Sequence, residues 1–277
     1  MKYKIVSDSS ADLLKLEGIP FASVPLHILV GEQEFIDNAA LDISAMQSAL
    51  ESYKGKTSTS CPSPAEWIAT FEDADLVFCF TISGKLSGSA SSARTAKQLY
   101  ENDFPGKQVY VIDSLSTGPE MTLLIEKTRD LMLTGADGEE IYRQVKAYMK
   151  KTHLFFVLAS VDNLAKNGRV SPLLAKGMGL LGLRVIGTAS DAGELTTLEK
   201  CRGEKKAITR VIQLMKDYGY KAGQKVIIAH HFNERAAAEL QAQIKAVFGE
   251  FCGYIQRNRG LCGYYAEPNS FMVGFEV

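Results

Sequence analysis

Hydroxyl side chains gather at four places in this chain of 277 residues: "SDSS" (Ser7 to Ser10), "TSTSCPS" (Thr57 to Ser63), "SGKLSGSASS" (Ser83 to Ser92) and "DSLSTG" (Asp113 to Gly118). Serine and threonine can attack an acyl group, or they can hold an anion through neutral O–H donors. Attack needs a base. A nucleophile elbow reads GxSxG, and here Gly84 and Gly88 bracket Leu86 instead of a serine. His27, His153, His230 and His231 are the only histidines and lie far from these turns in sequence. A serine-dependent acyl hydrolase using Ser87 or Ser89 therefore stands as the alternative. The favoured reading is a site that holds an anion and moves no proton. "GMGLLG" (Gly177 to Gly182) spells a dinucleotide-binding pattern, but it follows "NGRVSPLLAK" instead of a strand. Its glycines suit close packing or an apolar cavity. No HExxH, P-loop or paired carboxylate–histidine pattern appears, so neither a metal nor an ATP cofactor is expected within this chain.

Positioning these turns requires alternating strands and helices. "YKIVSDS", "ADLVFCFTIS" and "QVYVIDS" read as strands, each running into a hydroxyl turn. Helical spacing follows from Asp42, from Ser63 (N-cap, with Pro64 and Glu66 completing a capping box), from the stretch "TISGKLSGSASSARTAKQLY", and from about Glu120. That β-α order predicts a parallel sheet whose turns meet at its carboxyl edge, where open α/β folds bind ligands. Two of the clusters also start helices, where free N–H groups favour a carboxylate or phosphate. Beyond "DGEEIYRQVKAYMKKT" the pattern changes. "RVIGTAS" and "ELTTLEKCR" flank "DAG" like a hairpin, and split crossovers follow through "KVIIAHH" to "FMVGFEV". The expected fold class is α/β: an N-terminal parallel-sheet domain over 1–152 packed on a C-terminal mixed α+β domain over 153–277, with the ligand between them.

Composition narrows the function classes. Apolar residues make up 46% and charged residues 23%, with a net charge of −1, so a nucleic-acid partner is not expected. No uninterrupted apolar run is long enough for a membrane span, and "MKYKIVSDSS" lacks the form of a signal peptide. Five scattered cysteines without a CxxC pair point to the cytoplasm and away from disulfides or structural zinc.

The order of several segments resembles the DegV family, bacterial fatty-acid-binding proteins that serve as lipid-carrying subunits of fatty acid kinase. The carriers of the resemblance are "IVSDSSADL", "TSTSCPSPAEW" (with Cys61 where Gln is common), "ISGKLSGSASSA" (with Ser89 at a Thr position), "VIDS", "NLAKNGRVS" and "CRGEKKA", and they span the chain. The resemblance implies one long-chain fatty acid buried between two domains. Its carboxyl would be held by Thr59 and Ser87, with Ser60, Gly88 and Ser89 beside them, and Arg169 and Arg202 near the mouth. It also implies that the chain is not itself an enzyme, and that a separate ATP-dependent fatty acid kinase subunit makes the acyl phosphate. The C-terminus departs from the family's Gly-x-His-x-Gly-Pro-Gly segment. It reads "GYYAEPNSF", with Tyr265 at the His position and Glu267 expected at the same mouth, repelling phosphate.

Overall fold

The computed structural model describes residues 2–72, 74–171 and 182–277. Most of "GMGLLG" lies outside the described residues. Four strands, β1 (Tyr3–Asp8), β2 (Phe21–Val24), β6 (Leu76–Thr81) and β7 (Gln108–Asp113), form an all-parallel sheet in the order β2-β1-β6-β7. β6 is buried along its whole length, as its continuous apolar run requires of a strand covered on both faces. From β1 the chain moves outward to β2, whereas from β6 it moves outward to β7. The strand order thus reverses between β1 and β6, the place where open α/β sheets leave a crevice. The turns Ser9–Ala11 and Ile82–Gly88 flank it.

The second hydroxyl cluster sits elsewhere. Thr57–Ser60 is itself a strand, β5, in a small antiparallel sheet with β3 (His27–Val30) and β4 (Gln33–Ile36), in the order β4-β3-β5. Alternating hydroxyls fit a pleated strand as well as a turn, which is why composition alone pointed to a turn.

Residues 152–276 supply the third sheet. β8 (Thr152–Leu158), β9 (Leu183–Ala189), β10 (Leu195–Arg202), β11 (Lys225–His231), β12 (Cys252–Arg257) and β13 (Ser270–Glu276) lie in the order β10-β9-β8-β13-β11-β12. The β9–β10 hairpin has the expected antiparallel register, and only β11 and β12 pair in parallel. Period-two alternation gives this sheet two faces. Phe155, Val157, Val273 and Phe275 pack against two long helices, residues 204–218 and 234–248. Leu154, Phe156, Leu158 and Met272 face the other way, toward the parallel sheet.

Two helices join the halves. One is α4 (Gly118–Leu133), the long helix expected near Glu120, whose Met121, Leu124 and Ile125 pack with Ile5, Phe78 and Phe80. Its start presses on β13 so closely that a Cβ at Gly274 would lie 2.5 Å from the Glu120 backbone nitrogen, so this strand position must be glycine. The other is the short helix Gly260–Ala266, here αC, which the hydrophobic pattern did not mark. Its first amides donate to Asp37 (Gly260, 3.0 Å; Leu261, 2.8 Å), and the Arg259 amide before it donates to Asp12 at 2.7 Å. Among the described residues no helix is long and apolar enough to cross a membrane.

Candidate functional site

A cavity, about 880 Å³ of empty space when the solvent at its open side is counted, lies between the carboxyl edge of the parallel sheet and the inner face of the six-stranded sheet. Its walls are mostly apolar, with Leu154, Phe156, Leu158 and Met272 on one side and Leu26, Ile82 and Leu261 on the other. This lining suits a small-molecule ligand. Polar side chains are few, and most collect together: Thr59, Ser87, Arg169 and Tyr265, with the Gly88 backbone beside them, while Thr117 stands apart with its hydroxyl 3.5 Å from Cys262 Sγ.

Each arrives on a different element. Thr59 is the third residue of β5 and lies opposite Ile28. Its hydroxyl is 2.8 Å from the Tyr265 hydroxyl, which comes from αC. Arg169 follows the short helix Asp162–Lys166; its Nε donates to the Leu86 carbonyl at 3.2 Å, and its guanidinium lies 5.9 Å from the Tyr265 ring centre. Ser87 and Gly88 precede α3 (Ser89–Asp103). Gly88 stands at the N-cap with no side chain to cap the helix, so the positive end of the helix dipole meets the cavity edge that Gly88 lines. Ser87 Oγ accepts the Ser89 amide at 3.2 Å and keeps its own proton to donate.

Ser89 is placed differently from the expectation. Its hydroxyl is wholly buried and donates to Asp8 at 2.6 Å, so it is already committed to the scaffold. Asp8 also accepts from Ser10 Oγ (2.5 Å) and the Ile82 amide (2.9 Å), tying together the two turns at the strand-order reversal. Burial pushes the Asp8 carboxyl up to about 6, against the pull of those donors. Ser60 is exposed at the end of β5, and Arg202 is exposed at the end of β10; neither lines the cavity. Glu267 corrects the sequence expectation. It faces a separate polar cavity, and its carboxylate accepts the Asn163 amide at 3.0 Å instead of bordering the mouth with Tyr265. Burial raises its carboxyl above the ordinary range.

A histidine base for Ser87 is missing as well. No histidine is among the described residues lining the cavity. His27 is engaged by Glu34 and Glu66, and His231 by Gln47. The arrangement can therefore hold and orient an anionic head group beside an apolar chain. Sequence reasoning missed the apolar wall contributed by β8 and β13, whose alternation was visible in "HLFFVL" but not its direction. It also missed Asp37, whose partner on αC is 223 residues away.

A family model described as "Uncharacterised protein, DegV family" matches residues 2–276. A DegV domain-containing protein of Streptococcus pneumoniae is 41% identical, with all of both chains covered. Two crystal structures superpose with a TM-score of 0.97 and 40% identity. One is a DegV family protein from Eubacterium eligens loaded with heptadecanoic acid, with 99% of each chain covered. The other is the fatty acid kinase (Fak) B3 protein of S. pneumoniae loaded with linoleic acid, with all of both chains covered. This chain belongs to the DegV family.

Proposed function

We propose that the protein binds one long-chain fatty acid in the cavity between its 1–152 and 153–277 portions and presents the carboxyl to a separate ATP-dependent kinase subunit. The observation that carries this reading is the composition of the cavity: a long apolar wall that ends at Thr59, Ser87 and Arg169. The heptadecanoic and linoleic acids held by its two structural relatives support the ligand class. The name of the second relative supports the kinase partner.

Burial of the roughly 15 apolar carbons of a 16-carbon acid at ~0.8 kcal/mol each amounts to about 12 kcal/mol of apolar transfer, so the chain supplies most of the affinity. Thr59 and Ser87 then fix which end is which. A carboxylate held by hydroxyl donors and the α3 amides needs no full counter-charge in contact with it, although Arg169 stands nearby. The head group lies where the cavity opens, so a kinase can reach it without extracting the chain. Arg169 is the arginine placed to meet incoming phosphate oxygens, and exposed Arg202 is left for contact with the partner's surface.

The test is organic extraction of the purified, denatured protein followed by mass spectrometry. About one fatty acid per chain is expected, and the loaded protein should form acyl phosphate with a kinase subunit, ATP and Mg²⁺. Extracts free of lipid, together with no uptake of added long-chain acids, would refute the reading.

A further inference from the structure

Two neighbouring tyrosines of αC bond to two alternate threonines of β5. The Tyr264 hydroxyl is 2.7 Å from Thr57 Oγ1, and the Tyr265 hydroxyl is 2.8 Å from Thr59 Oγ1. Alternate strand residues share a face, so consecutive helix residues meet consecutive rungs on that face. The two bonds nevertheless face different surroundings. Tyr264 is wholly buried and its oxygen also accepts from Asn167 Nδ2 at 2.9 Å, and the cavity it borders is the separate polar one. Neither Tyr264 nor Thr57 lines the apolar cavity, so the proton left over in this pair has no ligand there to meet. Thr59 and Tyr265 both line the apolar cavity, and among the described residues no other hydrogen bond to either hydroxyl is seen.

Proton counting fixes what the second pair can do. Each hydroxyl carries one proton, and the bond between them uses one. One proton is left over. We infer that Tyr265 is a positioning residue that acts through Thr59, its phenol donating to Thr59 Oγ1 so that the Thr59 proton is turned toward an acid head group in the cavity. This rests on the fatty-acid reading above. Burial raises the Tyr265 phenol, so it keeps its proton. The Arg169 cation near its ring favours the phenol as the donor of the pair, and a hydroxyl that accepts a hydrogen bond becomes a better donor itself. The relay therefore strengthens most for a ligand oxygen that carries charge, so the pair selects a carboxylate over an uncharged head on the same chain.

The probes are hexadecanoic acid and its methyl ester, which share one chain and differ in head-group charge. Tyr265→Phe is expected to weaken acid binding about tenfold while the ester stays within about twofold. In a Thr59→Val background, Tyr265→Phe should have no further effect on acid binding. Tyr264→Phe is the internal control: it should lower the Tm and leave the acid-to-ester ratio unchanged. If Tyr265→Phe does not fold, Thr59→Val alone must reduce the acid preference by at least about tenfold. Equal weakening of both ligands by Tyr265→Phe, no weakening of the acid, or an effect that persists without Thr59 would overturn the inference and leave the lipid reading intact. Failure of the unaltered protein to bind hexadecanoic acid would overturn both.

Discussion

Two helix starts in the N-terminal half carry the same residue types and use them differently. At the first turn of the helix Pro64–Phe71, Ser63 and Glu66 cap each other reciprocally. The Ser63 amide donates to Glu66 at 2.8 Å and the Glu66 amide donates to Ser63 Oγ at 3.3 Å. At α3 the N-cap is Gly88, which has nothing to offer its helix, and the neighbouring serines divide their work. Ser89 goes to buried Asp8, while Ser87 stays at the cavity. On the proposed reading, the hydroxyl left for the ligand is that of Ser87, which also accepts the Ser89 amide, at a helix whose N-cap residue has no side chain. Composition does not separate the two cases. Bonding does.

The largest expected effect breaks the comparison if it fails. Thr59→Val or Ser87→Ala should each weaken fatty-acid binding by roughly 1–3 kcal/mol, and the double variant by more, with little change in thermal stability. Titration of hexadecanoic acid together with thermal melts checks this. A loss of stability that matches the loss of affinity would place both hydroxyls with the scaffold.

Ser89→Ala should show the reverse pattern. Removing its hydroxyl leaves Asp8 short of a donor in a fully buried site, costing about 1–3 kcal/mol of folding stability. Affinity should change less than in Ser87→Ala. A selective loss of binding without destabilisation would return Ser89 to the ligand.

That division also marks how far the sequence could be read. The strands β1, β6 and β7, the capping box at Ser63 and the β9–β10 hairpin are local signals, and each was legible from periodicity and capping chemistry. Thr59, Ser87, Gly88, Arg169 and Tyr265 were named from motif order, and all five line one cavity. The commitments of Ser89 to Asp8 and of Glu267 to Asn163 were not legible, since each partner lies 81 or 104 residues away. αC was missed for a related reason. Its seven residues hold too little periodicity to announce a helix, and the carboxylates of Asp12 and Asp37 that fix its start come from the opposite half.

The acids at the two helix starts should titrate in opposite senses, which sharpens the comparison. Asp8 is raised to about 6 by burial, so the folded state holds its proton more tightly than the unfolded state does. Its ionisation opposes folding above pH 6. Relative to Asp8→Asn, the unaltered protein should therefore gain stability as pH falls from about 7 toward 5, by on the order of 1 kcal/mol. Glu66 is lowered, chiefly by the Ser63 amide. Its contribution is present above the ordinary glutamate range and is lost as pH falls through its folded value. Relative to Glu66→Gln, stability should fall only in that acid range. Melts of the three proteins from about pH 8 down to about pH 3 read both slopes, and slopes of the same sign would mean that the two acids do not play distinct parts.

The smallest effect isolates the capped helix from the ligand. Ser63→Ala removes the oxygen that accepts the Glu66 amide and the group that Glu66 grips in return, while the Pro64 start and the apolar contacts of Trp67 and Phe71 remain. An N-cap serine replaced by alanine costs about 1 kcal/mol, and that should be the whole effect. Fatty-acid affinity should stay unchanged, because Ser63 does not line the cavity although Cys61, two residues earlier, does. Thermal melts and hexadecanoic acid titrations on one preparation decide the matter. A drop in affinity as large as that of Ser87→Ala would show that the two helix starts act on the ligand together, and the distinction between a hydroxyl spent on its own helix and one kept for a head group would have to be given up.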